Sequence, residues 1–86
     1  MQTQRDSKGH IYGEVRNVRI TYIPAADRAP EKDWPGSDVI RINALKEAGG
    51  LHMGAEFPVP TPEHFASFVG TFCQIYAEGI QANSTL

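Results

Sequence analysis

The stretch TPEHFASFVGTFCQIYAEGI, residues 61–80, carries the clearest local signal in the chain. Thr61 offers a hydroxyl to an orphan backbone N–H as an N-cap, and Pro62 loses no hydrogen bond at the first helical position. Glu63 stands against the positive end of the helix dipole. Phe65, Phe68, Val69, Phe72, Tyr76 and Ile80 then recur at spacings of three and four, the apolar stripe of an amphipathic helix. Each such side chain contributes roughly 1.5–3 kcal/mol when buried, so the stripe is expected to be the lid of the core. Beside it runs a row of small residues, Ala66, Gly70, Cys73 and Ala77, and only Glu63 and Glu78 carry charge in this stretch. Small residues permit close approach of a second backbone, and two-fold dimers are the commonest assembly. That row is therefore the expected interface of a homodimer.

Upstream the periodicity changes from helical to alternating. Val18, Ile20 and Tyr22 fall on one side at period two, with Arg19 and Thr21 on the other. This run extends over residues 10–23, with Arg16 on the side of Val18 if it is regular; Gly13 interrupts it and suggests a bulge. Residues 39–46 repeat the pattern, with Ile40, Ile42 and Ala44 inward and Arg41 and Asn43 outward. Gly49-Gly50 supplies a turn that accepts positive φ. Residues 51–59 then return as another strand, with Leu51, Met53, Ala55, Phe57 and Val59 inward. Between the first two runs, residues 24–37 contain Pro24, Pro30, Pro35 and Gly36 and read as a long loop holding Trp34, whose indole either caps the core edge or stacks on a ligand. The expected fold is α+β: a twisted antiparallel sheet of three to four strands followed by one C-terminal amphipathic helix packed on one face. Residues 9–81 form the single domain, with flexible tails at 1–8 and 82–86.

An 86-residue chain has room for one domain, and 41% hydrophobic with 21% charged residues is an ordinary globular composition. A lone cysteine excludes an internal disulfide, and no signal peptide or 18-residue apolar run is evident. Those features point to the cytoplasm, or the nucleus, rather than to secretion. Charge divides unevenly. All eight basic residues lie between Arg5 and Lys46 against six acidic ones, and four acids with no base follow from Glu47 onward. Such a split can mark an electropositive binding face or an ordinary solvated surface.

Catalysis is not expected. His10, His52, His64 and Cys73 have no metal-ligand spacing, and there is no phosphate-binding loop, dinucleotide fingerprint or helix-turn-helix pair. No metal or cofactor is implied. What remains is the outward face of the sheet. Arginines on a rigid sheet pair with phosphate and stack on bases, and aromatic side chains add base stacking of ~1–3 kcal/mol each.

Several patterns together resemble the transcriptional-coactivator family called positive cofactor four. They are Gly13-Glu14-Val15-Arg16-Asn17-Val18-Arg19-Ile20, Asp38-Val39-Ile40-Arg41-Ile42-Asn43, the Gly49-Gly50 turn, Phe57-Pro58-Val59, and Thr61-Pro62-Glu63-His64-Phe65. The resemblance implies a dimeric sheet-plus-helix fold that binds single-stranded DNA with a role in transcription regulation. It nominates Arg16, Arg19 and Arg41 for phosphate and Tyr22 and Trp34 for stacking. The chain departs from the family at Met53-Gly54-Ala55-Glu56, which lacks the family's basic residues, and at the inserted loop. Single-stranded nucleic acid is thus the first expected partner. The alternative is a small interaction module or inhibitor that docks on a protein through the acidic half, the loop 24–37 or a sheet edge.

Overall fold

The computed structural model describes residues 2–84. Five antiparallel strands follow one another as a meander, in the order β1 (Gln4–Arg5), β2 (Ile11–Val15), β3 (Val18–Ile23), β4 (Val39–Ala44) and β5 (Ala55–Pro58). A single helix, α1 (Pro62–Ser84), closes the chain. The class is therefore α+β, with one strand more than the alternation suggests. The added strand is β1: Gln4 pairs with Tyr12 and Arg5 with Ile11, in a segment whose polarity reads as tail. Residues 85 and 86 of the expected C-terminal tail, and Met1 of the N-terminal one, lie outside the described residues, while 82–84 continue the helix.

The run 10–23 is a hairpin rather than one strand. Val15 pairs with Val18 across the two-residue turn Arg16-Asn17, and Gly13 stays in regular register with Ile20. Arg16 has φ +57°, the positive value that short hairpin turns require. It belongs to neither face of the sheet, which corrects its placement beside Val18. Gly49 and Gly50, at φ +98° and +83°, make the expected turn, closed by Gly49 N–H to Lys46 O at 3.0 Å.

The return strand is shorter than its alternation suggests. Only Ala55–Pro58 pairs with β4; Leu51 forms an isolated bridge with Leu45. Met53, expected inward, is 99% exposed. Its neighbour shows why the strand starts late. A Cβ on Gly54 would lie 2.4 Å from the Ile42 carbonyl oxygen and 2.5 Å from Asn43 Nδ2. His52 N–H still donates to Ala44 O at 2.9 Å, and between the Leu45–Leu51 and Ile42–Ala55 pairs three residues oppose two, so the return segment bulges and presses its backbone against β4 at Gly54, where glycine is required.

Register defines two faces. Val18, Ile20 and Tyr22 stand beside Ala44, Ile42 and Ile40, with Ile11 and Val15 from β2 and Phe57 from β5 continuing the same side. We call this face A. The opposite side, face B, carries Tyr12 and Glu14, Arg19 to Ile23 at alternate positions, Val39, Arg41, Asn43 and Glu56. The buried apolar side chains are Ile23, Val39 and Val59, and the first two lie on face B. The most apolar set of the sequence is thus not the core.

Face B is covered by the loop 24–38, which begins with a 3-10 turn at Ala25–Asp27. Asp27 accepts from Nε2 of buried His10 at 3.1 Å. Arg28 reaches across to Glu56 at 2.9 Å with its side chain only 4% exposed. Asp38 fastens the far end, accepting from the Ala25 N–H at 2.8 Å and from the Tyr22 hydroxyl. A long proline-rich segment is in this way clamped at both ends.

The helix begins as expected: the His64 N–H donates to Thr61 Oγ1 at 3.1 Å. Its role differs. Phe68 stacks on Phe57 at 4.7 Å between centroids, and it is the one described helix residue that is not exposed. A straight helix of 23 residues is about 34 Å long. After its first two turns it runs off the edge of the sheet. The stripe is not a lid over its own core.

Candidate interaction surface

Each nominated nucleic-acid residue has a definite place. Arg19 stands on face B with Nε and Nη2 on Glu14 Oε2 at 2.8 and 2.7 Å, its guanidinium 4.1 Å above the Tyr12 ring. Arg41 Nε donates to Glu56 Oε2 at 2.9 Å. Both guanidiniums are held by carboxylates of neighbouring strands. Burial pushes the Glu56 carboxyl up, yet Arg28 and Arg41 outweigh it and hold the group below the ordinary glutamate range. Tyr22 projects from face A, away from the arginines, and its bond to Asp38 raises its phenol and lowers the Asp38 carboxyl. Arg16 sits at the hairpin tip, exposed.

Trp34, at φ +56° and 41% exposed, lies in the loop. It shares an open cleft of about 510 Å³ with Lys32, Arg41 and Met53. This is where a nominated aromatic and a nominated arginine come together. The five nominated residues as a set are not brought together: they divide between face A, face B, a turn and a loop.

Beneath the loop, His10 lies between two carboxylates, Asp27 at 3.1 Å from Nε2 and Asp6 at 3.6 Å from Nδ1. Burial acts to raise the Asp6 carboxyl, but the His10 and Lys8 N–H groups that it accepts from hold it below the usual range. Among the described residues no group of three or more His, Cys, Asp or Glu gathers as a metal site. No described helix is long and apolar enough to cross a membrane.

Face A and the helix stripe differ in kind from face B. Ile11, Val15, Ile20 and Tyr22 are each 38–44% exposed, in the middle of what is chemically a core-forming surface. On the helix, Phe72, Ile75, Tyr76 and Ile80 are 51–70% exposed. Phe68, Phe72 and Ile75 line one open groove with His64 and Thr71. A second shallow depression on face A is lined by Ile11, Val15, Ile20, Tyr22 and Ile40. Solvent-exposed apolar surface this continuous exceeds the scattered residues that a free monomer ordinarily shows. Ala66, Gly70, Cys73 and Ala77 flank the stripe and are exposed as well; a Cβ at Gly70 would meet nothing within 4 Å.

Sequence reasoning omitted Ile75 from the stripe, although its seven-residue spacing from Phe68 was a usable signal. It also missed Arg28 and Glu56, which lie 28 residues apart; no local periodicity joins them.

No protein-family profile, curated protein or solved structure matches the chain.

Proposed function

We propose that this chain is a non-catalytic protein-interaction module that docks through face A of its sheet and the apolar stripe of its helix. The observation that carries the reading is the exposure of the helix stripe from Phe72 to Ile80 together with face A. Interface centres are rich in aromatic and large aliphatic groups and poor in charge. The exposed stripe fits that composition, and face A adds four large apolar side chains. Face B, by contrast, keeps its arginines neutralised by Glu14 and Glu56.

The helix stripe belongs to the acidic half that the sequence suggested for a protein partner, whereas face A is neither the sheet edge nor the loop of that suggestion. The loop is committed to covering face B through Asp27, Arg28 and Asp38.

Binding of single-stranded nucleic acid is the second reading, favoured by the cleft where Lys32, Trp34 and Arg41 meet. A base could stack on the indole there while Lys32 meets a phosphate. Titration of a labelled single-stranded oligonucleotide at about 50 and 200 mM salt separates the two readings. Docking through face A predicts no binding at tens of micromolar protein. Binding that weakens steeply with salt and is lost in the Arg19→Ala/Arg41→Ala variant, but is unchanged in Ile20→Glu, would favour nucleic acid instead.

A further inference from the structure

The structure leaves two apolar surfaces of one chain exposed to solvent and, beyond Phe68 on Phe57, not packed on each other. The helix covers only the β5 margin of face A, through Phe68 on Phe57 and Phe65 near Tyr22, Ile40 and Val59. The β2–β3 side of that face, around Ile11, Val15 and Ile20, has no helix above it. The half of α1 from Phe72 onward carries a stripe with no sheet beneath it. A straight helix cannot turn back to bring the second surface to the first.

The amount of unburied surface is large. The chain exposes 6699 Å², whereas a compact monomer of its mass exposes about 5,050 Å². Its radius of gyration is 15.2 Å, against about 12 Å for a compact chain of this length. The excess, about 1,650 Å² per chain, becomes about 3,300 Å² for a pair, within the range of obligate dimers. Among the described residues the buried apolar side chains are three, Ile23, Val39 and Val59, a small core for a domain of this size.

We propose that the occupant of face A is a second copy of this chain, with the C-terminal half of each helix lying across the β2–β3 side of the partner's sheet. This rests on the docking reading above and names its partner. The arrangement is isologous: helix meets sheet, and by symmetry sheet meets helix, so one two-fold axis satisfies both bare surfaces at once. Charge agrees with it. The helix bears only Glu63 and Glu78, and at 100° per residue both fall well away from the stripe of Phe72, Tyr76 and Ile80, so the stripe itself brings no charge to the contact. The small residues Ala66, Gly70, Cys73 and Ala77 then lie at the margin of the contact rather than at its centre, in contrast to a dimer built helix on helix.

The test uses the full chain at tens of micromolar and reads mass by sedimentation and size by X-ray scattering. Wild type is expected at twice 9.5 kDa. A monomer that keeps a radius near 15.2 Å overturns the second copy and leaves docking to a different protein standing. A monomer compacted to about 12 Å overturns both, because its helix has then covered its own sheet.

Complementation reads the geometry. Ile20→Glu spoils the sheet surface and Tyr76→Glu the helix surface, so each alone is expected to be monomeric. Mixed in equal amounts they regain a dimer, since one intact helix meets one intact sheet. If either variant is unfolded alone, mixing restores its circular dichroism together with the mass. Mixtures that regain neither overturn the proposal. So does an Ile20→Glu chain that stays dimeric while Gly70→Leu dissociates, because the interface is then helix on helix.

Discussion

The two faces of the sheet are built from alternate residues of the same strands, and they meet opposite fates. Face A is the more apolar, with Val18, Ile20, Ile40 and Ile42 on its central strands, yet Ile20 is 38% exposed. Face B has polar residues at its centre, yet Thr21 and Asn43 there are 4% and 6% exposed, and Val39 is fully buried. The difference comes from what lies on top. Face B is covered by a loop from its own chain that brings Asp27 and Arg28 as partners for His10 and Glu56. Face A is offered only the first turns of a helix that then leaves. Alternation states which residues share a face; it does not state what covers that face.

The largest effect is expected where face B is pinned. Arg28 is almost wholly inside, and removing its carboxylate partner leaves a buried charge uncompensated. Glu56→Ala should therefore lower stability by about 3–5 kcal/mol in chemical denaturation, with the same loss at every protein concentration. Acid should act through the same group. A carboxyl held below its unfolded value of 4.5 stabilises the fold above that value, and this stabilisation disappears as pH falls through the lowered folded value. The unfolding midpoint should drop below pH 4.5, and less steeply in Glu56→Ala than in wild type.

Face A should answer differently to an equally local change. Ile20→Ser is expected to lower the apparent stability by about 2–3 kcal/mol, and the loss should depend on protein concentration because it acts through association. A concentration-independent loss would place Ile20 in a core within one chain and erase the distinction between the faces.

Smaller effects test how the sheet is bordered. Gly54→Ala should cost about 1–3 kcal/mol, since the new Cβ meets the rigid Ile42 carbonyl at 2.4 Å; thermal melts of the pair suffice to measure it. Arg16→Gly should raise stability by roughly 0.5–1 kcal/mol, because glycine holds the observed φ of +57° without the penalty of a Cβ. That gain belongs to a turn outside both faces and should leave association unchanged.

Much of this architecture was legible in the residues. The Thr61 cap, the helix start, the Gly49-Gly50 turn and the facing of Val18, Ile20 and Tyr22 with Ile40 and Ile42 all follow from local chemistry and period. What was not legible was nonlocal. Nothing near Arg28 in sequence announces Glu56, and nothing near Pro24 says that the loop will fold over the polar side of the sheet. Met53 fitted a period of two yet lies outside the ladder, because residues 52–54 bulge, three against two, between the Leu45–Leu51 and Ile42–Ala55 pairs. Arg19 and Arg41 were read correctly as pointing away from the apolar set, but their carboxylate partners on adjoining strands depend on a register that the sequence does not display, and Arg16 sits in a turn that strict alternation conceals. Ile75 belonged to the stripe by spacing and was passed over.

The most direct test is hydroxyl-radical footprinting of the wild-type chain across a dilution series. Met53, 99% exposed, serves as the reference, and Tyr12 on face B as the control. The account predicts that Ile20, Phe72 and Tyr76 are protected at tens of micromolar and become labelled on dilution, while Met53 and Tyr12 stay constant. Labelling of Phe72 and Tyr76 that is strong and independent of concentration would contradict it: the apolar stripe would then stand free in solution, and face A would not be an interface between copies.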